Sequence, residues 1–186
     1  MKTDKVSDKG YTVFTDSVDG SGEKEGVYYQ YFDADLGRPV VNEGEDGLQK
    51  LDYALYKAEQ EGIKLLITFT NNWEAFGGMG QYVQWAKLAG ENVSGHDDFY
   101  TNETIKGWYK DYIKTLLNHE NVYTGVKYKD DPTIFSWELA NEPRCESDAG
   151  CENNTVVKWA TEMSAYVKSI DDNHMLAVGD EGFYNY

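Results

Sequence analysis

Three short apolar runs, each set between segments of helical period, constrain this chain more than any other feature. "IKLLITFTNNW" (63–73), "DPTIFSWELANEP" (131–143) and "HMLAVGDEGF" (174–183) are rich in β-branched and aromatic residues and lack polar alternation. Strands buried on both faces read this way. Ahead of the first run, "DGLQKLDYALYKAEQEG" places Leu48, Leu51, Leu55 and Ala58 on one helical face and stops at Gly62. Between the first and second runs, "QYVQWAKLAG" reads as a helix and "ENVSGHDD" as a loop. A long helix follows from about Asn102 to His119, striped by Ile105, Trp108, Tyr112, Ile113, Leu116 and Leu117. Between the second and third runs, Val156, Ala160, Met163, Val167 and Ile170 share a helical face, with Asn154 as an expected N-cap.

Alternating helix and strand predicts βα units around a parallel sheet, either doubly wound or closed as a (β/α)8 barrel. Both architectures bind ligands at the carboxyl ends of their strands. Here those ends read "NNW", "NEPR" and "DEGF", so one rim gathers three polar clusters. No G-x-G-x-x-G or phosphate loop follows any strand, which disfavours nucleotide binding. The 186 residues are enough for one domain with a sizeable core. A whole barrel takes about 250, and only three strands are evident, so the chain reads as part of one. Residues 1–45 read as mostly irregular, including an acidic Gly-rich loop, "DSVDGSGEKEG". Val18 stands there where a calcium loop needs a ligand. Residues 46–186 carry the βα units.

Charge narrows the partners. Seventeen basic against 33 acidic side chains give a net charge of −16, which repels nucleic acid and anionic membranes and leaves neutral ligands such as sugars open. No stretch approaches the roughly 18 apolar residues of a spanning helix. "MKTDKVSDKG" has no apolar core and is not a signal peptide, so Met1 is not expected to be the true start. Cys145 and Cys151, in "RCESDAGCENNT", suit a loop disulfide of a secreted protein or two free thiols. His96, His119 and His174 are scattered without metal-ligand spacing.

The end of the second run concentrates the chemistry. Glu138, Asn141, Glu142 and Arg144 fall within seven residues. Glu142 is either an acid catalyst or a strand-end carboxylate paired with Arg144. Glu138 alternates with Leu139 and is expected to face the inside, bonded to a partner because buried carboxylates need one.

With these residues in view, the chain resembles the endo-β-1,4-mannanases of glycoside hydrolase family five, of fungal and plant type. The likeness runs from "VVNEGEDGLQKLDYAL" through "TFTNNWEAFGGMGQYVQWA" and "WELANEPRC" to "DEGFYNY". It implies a (β/α)8 barrel of which the chain supplies about the third to fifth strands. It implies retaining hydrolysis of mannan, galactomannan or glucomannan without cofactor or metal. Glu142 would be the general acid/base, and the nucleophilic Glu would lie on a later strand beyond Tyr186. Asn141, Arg144, Trp73, Glu181 and Asn72 would bind sugar, and Cys145 would pair with Cys151. Retention needs two carboxyl groups ~5 Å apart, one protonating the leaving oxygen while the other attacks the anomeric carbon. The resemblance also implies secretion. Other family-five β-glycanases, such as endoglucanases, share Asn-Glu-Pro, and a non-catalytic carbohydrate-binding fragment is a further alternative.

Overall fold

The protein's structure, a computed structural model, describes residues 27–74, 77–147 and 154–182. Strand β1 (Gln30–Asp33) pairs antiparallel with β2 (Arg38–Val41). Helix α1 (Leu48–Gln60) leads into β3 (Leu65–Thr68). Helices α2 (Gly78–Leu88), α3 (Asp98–Thr101) and α4 (Glu103–Asn118) follow, then a 3₁₀ turn at Tyr128–Asp130. Strand β4 (Ile134–Glu138), helix α5 (Thr155–Lys168) and strand β5 (Met175–Ala177) complete the order.

The three strands read from the sequence form one parallel sheet in the order β3-β4-β5, with Thr68, Glu138 and Ala177 side by side. Sequential parallel order with helical crossovers makes this an arc of a (β/α)8 barrel. Leu66, Ser136 and Met175 are neighbours in register and share the inner face with Thr68 and Glu138. Leu66 and Met175 are about half exposed, at 52% and 54%, because only helices on the outer face cover the arc. Glu138 is inward and bonded as expected: Thr68 Oγ1 donates to its Oε1 at 2.8 Å.

Aromatic side chains fill the layer between sheet and helices. Phe69 stacks on Trp137, with ring centroids 5.2 Å apart and planes 9° from parallel. Tyr82, Trp85, Phe99, Tyr109 and Trp159 pack edge-to-face or tilted around them. Offset and edge contacts suit the ring quadrupoles. Trp85 and Trp159 are buried, and Trp108 is half-buried against the same core. Most of the aromatic content thus serves packing. Tyr109 also donates to Leu139 O at 2.5 Å, tying α4 to the exit of β4.

Three expectations need correction. Residues 30–41 form a hairpin, whose turn is organised by Asp33 Oδ1 accepting from the N–H of Asp35 and Leu36. Helix α2 begins at Gly78 rather than Gln81. Asn154 occupies the N-cap of α5 but at φ 59°, with no side-chain capping bond. By contrast Asn102 caps α4, its Oδ1 accepting from Ile105 N at 3.0 Å. The acidic loop at 16–26 lies outside the described residues.

A buried charge network joins α1, the end of α4 and the 3₁₀ turn. Asp52 is fully buried and accepts from Tyr128 Oη at 2.6 Å and from His119 Nε2 at 3.0 Å. His119 Nδ1 meets Glu43 Oε2 at 3.0 Å. Burial alone would lower the His119 pKa, but its bonds to Asp52 and Glu43 outweigh that and raise it above its ordinary value. A raised folded pKa means stability present below about pH 6.5 and lost as pH climbs through the raised value. His119→Gln in the complete protein is therefore expected to cost about 1–3 kcal/mol at pH 6, with the deficit shrinking at alkaline pH. Chemical denaturation across pH measures this, and a pH-independent deficit would contradict it.

Candidate active site

The carboxyl ends of β3, β4 and β5 continue as hydrogen-bonded backbone beyond the strands. Asn141 N donates to Thr70 O at 2.9 Å and Asn72 N to Asn141 O at 3.0 Å. On the other side, Glu142 N donates to Gly179 O at 2.9 Å. These bonds bring the "NNW", "NEPR" and "DEG" stretches to one rim, as the sequence implied.

Glu142 is half-buried and has a positive φ of 54°. Non-glycine residues seldom hold that conformation, and its cost points to a constrained position. Trp73 Nε1 donates to Glu142 Oε2 at 2.5 Å. Trp73 itself is 38% exposed, which excludes simple core packing. The Arg144 guanidinium carbon lies 4.4 Å from its ring centroid, a cation–π contact. Arg144 Nη1 also reaches Glu181 Oε2 at 3.1 Å. Five of the expected residues thus form a continuous surface: Glu142, Trp73, Arg144 and Glu181 in contact, with Asn141 beside Glu142 in sequence.

Asn71, not singled out in the sequence, holds this surface together. Its Oδ1 accepts from Asn141 Nδ2 at 3.0 Å and from Trp73 N at 3.2 Å. Asn72 is buried, at 2% exposure, beneath the rim. Its Oδ1 accepts from Arg144 N at 3.3 Å, and Tyr100 Oη donates to Arg144 O at 3.0 Å. Burial pushes the Tyr100 hydroxyl above its ordinary pKa, keeping it a donor.

Two further residues without a sequence signal come from the loop ahead of α3. His96 Nε2 faces Asn72 O at 3.1 Å and its Nδ1 faces Asp97 Oδ1 at 3.2 Å. Asp97 accepts from Glu146 N at 2.8 Å, Ser147 N at 3.0 Å and Ser147 Oγ at 2.7 Å. Burial opposes its ionisation, but the bonds from Ser147, Glu146 and His96 outweigh this and hold its carboxyl below the usual range. The pair therefore clamps the post-β3 and post-β4 loops to each other. Cys145 is disulfide-bonded; Cys151, its expected partner, lies outside the described residues. Among the described residues, no group of three or more His, Cys, Asp or Glu could hold a metal.

Gly179 makes the close approach of β4 and β5 possible. Its φ is +91°, and a Cβ there would lie 1.9 Å from Ala140 O and 2.8 Å from the Glu138 side chain. Gly179→Ala is expected to displace the backbone that Glu142 N binds. The complete protein should lose about 1–3 kcal/mol or more, read as a lowered thermal midpoint together with lowered activity. A wild-type midpoint would show the approach is not tight.

The family profile described as GH family 5 beta-mannosidase-like matches residues 40–185. The chain is 50% identical over 143 residues to mannan endo-1,4-beta-mannosidase 1 of Oryza sativa subsp. japonica, covering 77% of this chain and 33% of that protein. It is 53% identical over 140 residues to mannan endo-1,4-beta-mannosidase 7 of Arabidopsis thaliana, covering 75% and 32%. The crystal structure of the endo-1,4-beta-mannanase from Rhizomucor miehei matches with TM-score 0.81 and 41% identity, over 99% of this chain and 52% of that one. The chain spans about a third of the length of these curated relatives and about half of the solved structure. It belongs to the β-mannosidase-like proteins of glycoside hydrolase family 5.

Proposed function

We propose that this chain carries the acid/base side of a retaining endo-β-1,4-mannosidase acting on internal bonds of mannans. The observation that carries the reading is the 2.5 Å bond from Trp73 Nε1 to Glu142 Oε2. It commits one carboxyl oxygen as an acceptor and leaves Oε1 to hold and deliver a proton. In the first step Glu142 gives that proton to the glycosidic oxygen as a second carboxylate attacks the anomeric carbon. We assign that nucleophile to a further strand of the complete protein. The departing sugar takes the proton, and the enzyme is left glycosylated through an ester. Glu142 then accepts a proton from the water that attacks the anomeric carbon, releasing the sugar and restoring both carboxyl groups.

The rim supports sugar binding on either side of that bond. Asn141 uses one N–H on Asn71 and keeps a second for a sugar hydroxyl, a contact that strengthens as positive charge develops. Trp73 offers an indole face to the apolar side of a pyranose, and Arg144 and Glu181 present charged donors and acceptors to hydroxyls. A charge of −16 suits a neutral polysaccharide better than a polyanion. The named activities of the relatives support mannan, and the disulfide-bonded state of Cys145 supports a secreted protein.

The test uses the complete protein with Glu142→Gln. Turnover of linear mannan is expected to fall ~10²–10⁴-fold. The first step on a mannoside with an acidic phenol as leaving group, which needs no proton, should fall far less. Equal losses on both substrates, or near-normal mannan turnover, would remove Glu142 from the acid role. Wild-type activity on carboxymethylcellulose with none on galactomannan would instead make the protein an endoglucanase.

A further inference from the structure

Three Asn-x-Ser/Thr triplets occur in the chain, at Asn92 (Asn-Val-Ser), Asn102 (Asn-Glu-Thr) and Asn153 (Asn-Asn-Thr). By sequence alone each reads as an acceptor of an N-linked glycan. The folded chain separates the first two, and Asn153 lies outside the described residues.

Asn92 sits in the loop between α2 and α3 and is exposed, its side chain hydrogen-bonded to no described residue. Its neighbours on both sides are pinned. Glu91 N donates to Ala86 O at 2.9 Å, and Val93 packs against the core. Ser94 N and Oγ donate to Asp98 Oδ2 at 2.5 and 3.1 Å, and Gly95 N donates to the same oxygen at 2.9 Å. The loop therefore keeps its shape without help from the Asn92 amide. That amide stands in solvent, where a bulky hydrated substituent displaces nothing.

Asn102 is placed in the opposite way. Its Oδ1 caps α4 at Ile105 N, and its Nδ2 faces Glu91 Oε2 at 3.5 Å. Thr104 Oγ1 donates to Glu91 Oε1 at 2.9 Å. Both polar members of this triplet thus close on one half-buried carboxylate, which a sugar on Nδ2 would have to push aside. The cap on the long helix would be disturbed with it.

We propose that Asn92 carries an N-linked oligosaccharide in the folded, secreted protein and that Asn102 does not. The donor is an oligosaccharide joined through its anomeric carbon to a lipid diphosphate. The bond from that carbon to the diphosphate oxygen breaks, and a bond from the carbon to Asn92 Nδ2 forms. Nδ2 gives up one proton to a base of the transferring enzyme, and the lipid diphosphate leaves. The inference uses the secretory route proposed above, which the disulfide at Cys145 supports, and does not depend on the role of Glu142.

The test secretes the complete protein from a eukaryotic cell behind a heterologous leader, so that entry to the glycosylating compartment is assured. Enzymatic release of N-glycans in heavy-oxygen water labels every occupied position, and peptide mass spectrometry locates the label. Position 92 is expected to be labelled in the larger share of secreted chains and position 102 in none. Asn92→Gln and Ser94→Ala should each remove one glycan, seen as one step of faster migration on a gel. Ser94→Thr, which keeps the hydroxyl of the motif, should retain it. If a variant is not secreted, the labelling of the wild type decides alone. An unlabelled Asn92 in secreted wild type, or a label at Asn102, overturns the proposal. A protein glycosylated at Asn92 that leaves mannan uncut would overturn only the catalytic reading.

Discussion

Main-chain hydrogen bonding that outlasts the strands is the constraint on which the site depends. Phe69 N donates to Glu138 O, Leu139 N to Ala177 O, and the pairing runs on through Asn141, Asn72 and Glu142. Each such bond is worth only about 1 kcal/mol net. Their direction matters more than their energy. They fix which residue stands beside which, so Trp73 and Arg144 arrive next to Glu142 from separate loops. A slip of one residue would send every side chain of a strand to the opposite face.

Behind that rim, packed aromatics give the positioning its stiffness. The Phe69–Trp137 stack and the rings of Tyr82, Phe99, Tyr109 and Trp159 occupy the layer under the strand ends. Rings carry few rotatable bonds, so their order costs little entropy for the area they bury. Tyr109 adds a directed bond to Leu139 O, four residues along from Phe135 and three before Glu142. Core and site are thus mechanically continuous. The inner face of the arc contrasts with this, since Leu66 and Met175 stand open where Trp137 is fully covered.

The strand ends were legible because polarity there breaks an apolar run, and Glu142, Trp73, Arg144 and Glu181 do meet. Glu138 was legible for the same reason: a carboxylate alternating with Leu139 has to find a partner, and Thr68 supplies it. Asn71, His96, Asp97 and Tyr100 were not. Each of them bridges the site through a bond to a residue 24 to 70 positions away, such as His96 to Asn72 and Asn71 to Asn141, and nothing local announces those bonds. The hairpin at 30–41 was hidden differently. Its turn is stabilised by the Asp33 side chain, and its four-residue strands are too short to display a period. Asn154 shows the reverse failure, since a good capping residue type sits at the right place in a conformation that cannot cap.

The backbone at Glu142 carries an implication for how such sequences change with time. Holding a glutamate at φ 54° costs roughly 1–2 kcal/mol that glycine would not incur. The same position is thus pulled two ways: the fold favours the smallest residue, while the proposed acid/base role requires a carboxyl group. A lineage no longer selected for sugar cleavage would drift toward glycine or asparagine there. Its members would outlast their working ancestors in a heat challenge, so a library ranked by robustness alone would discard the chemistry first.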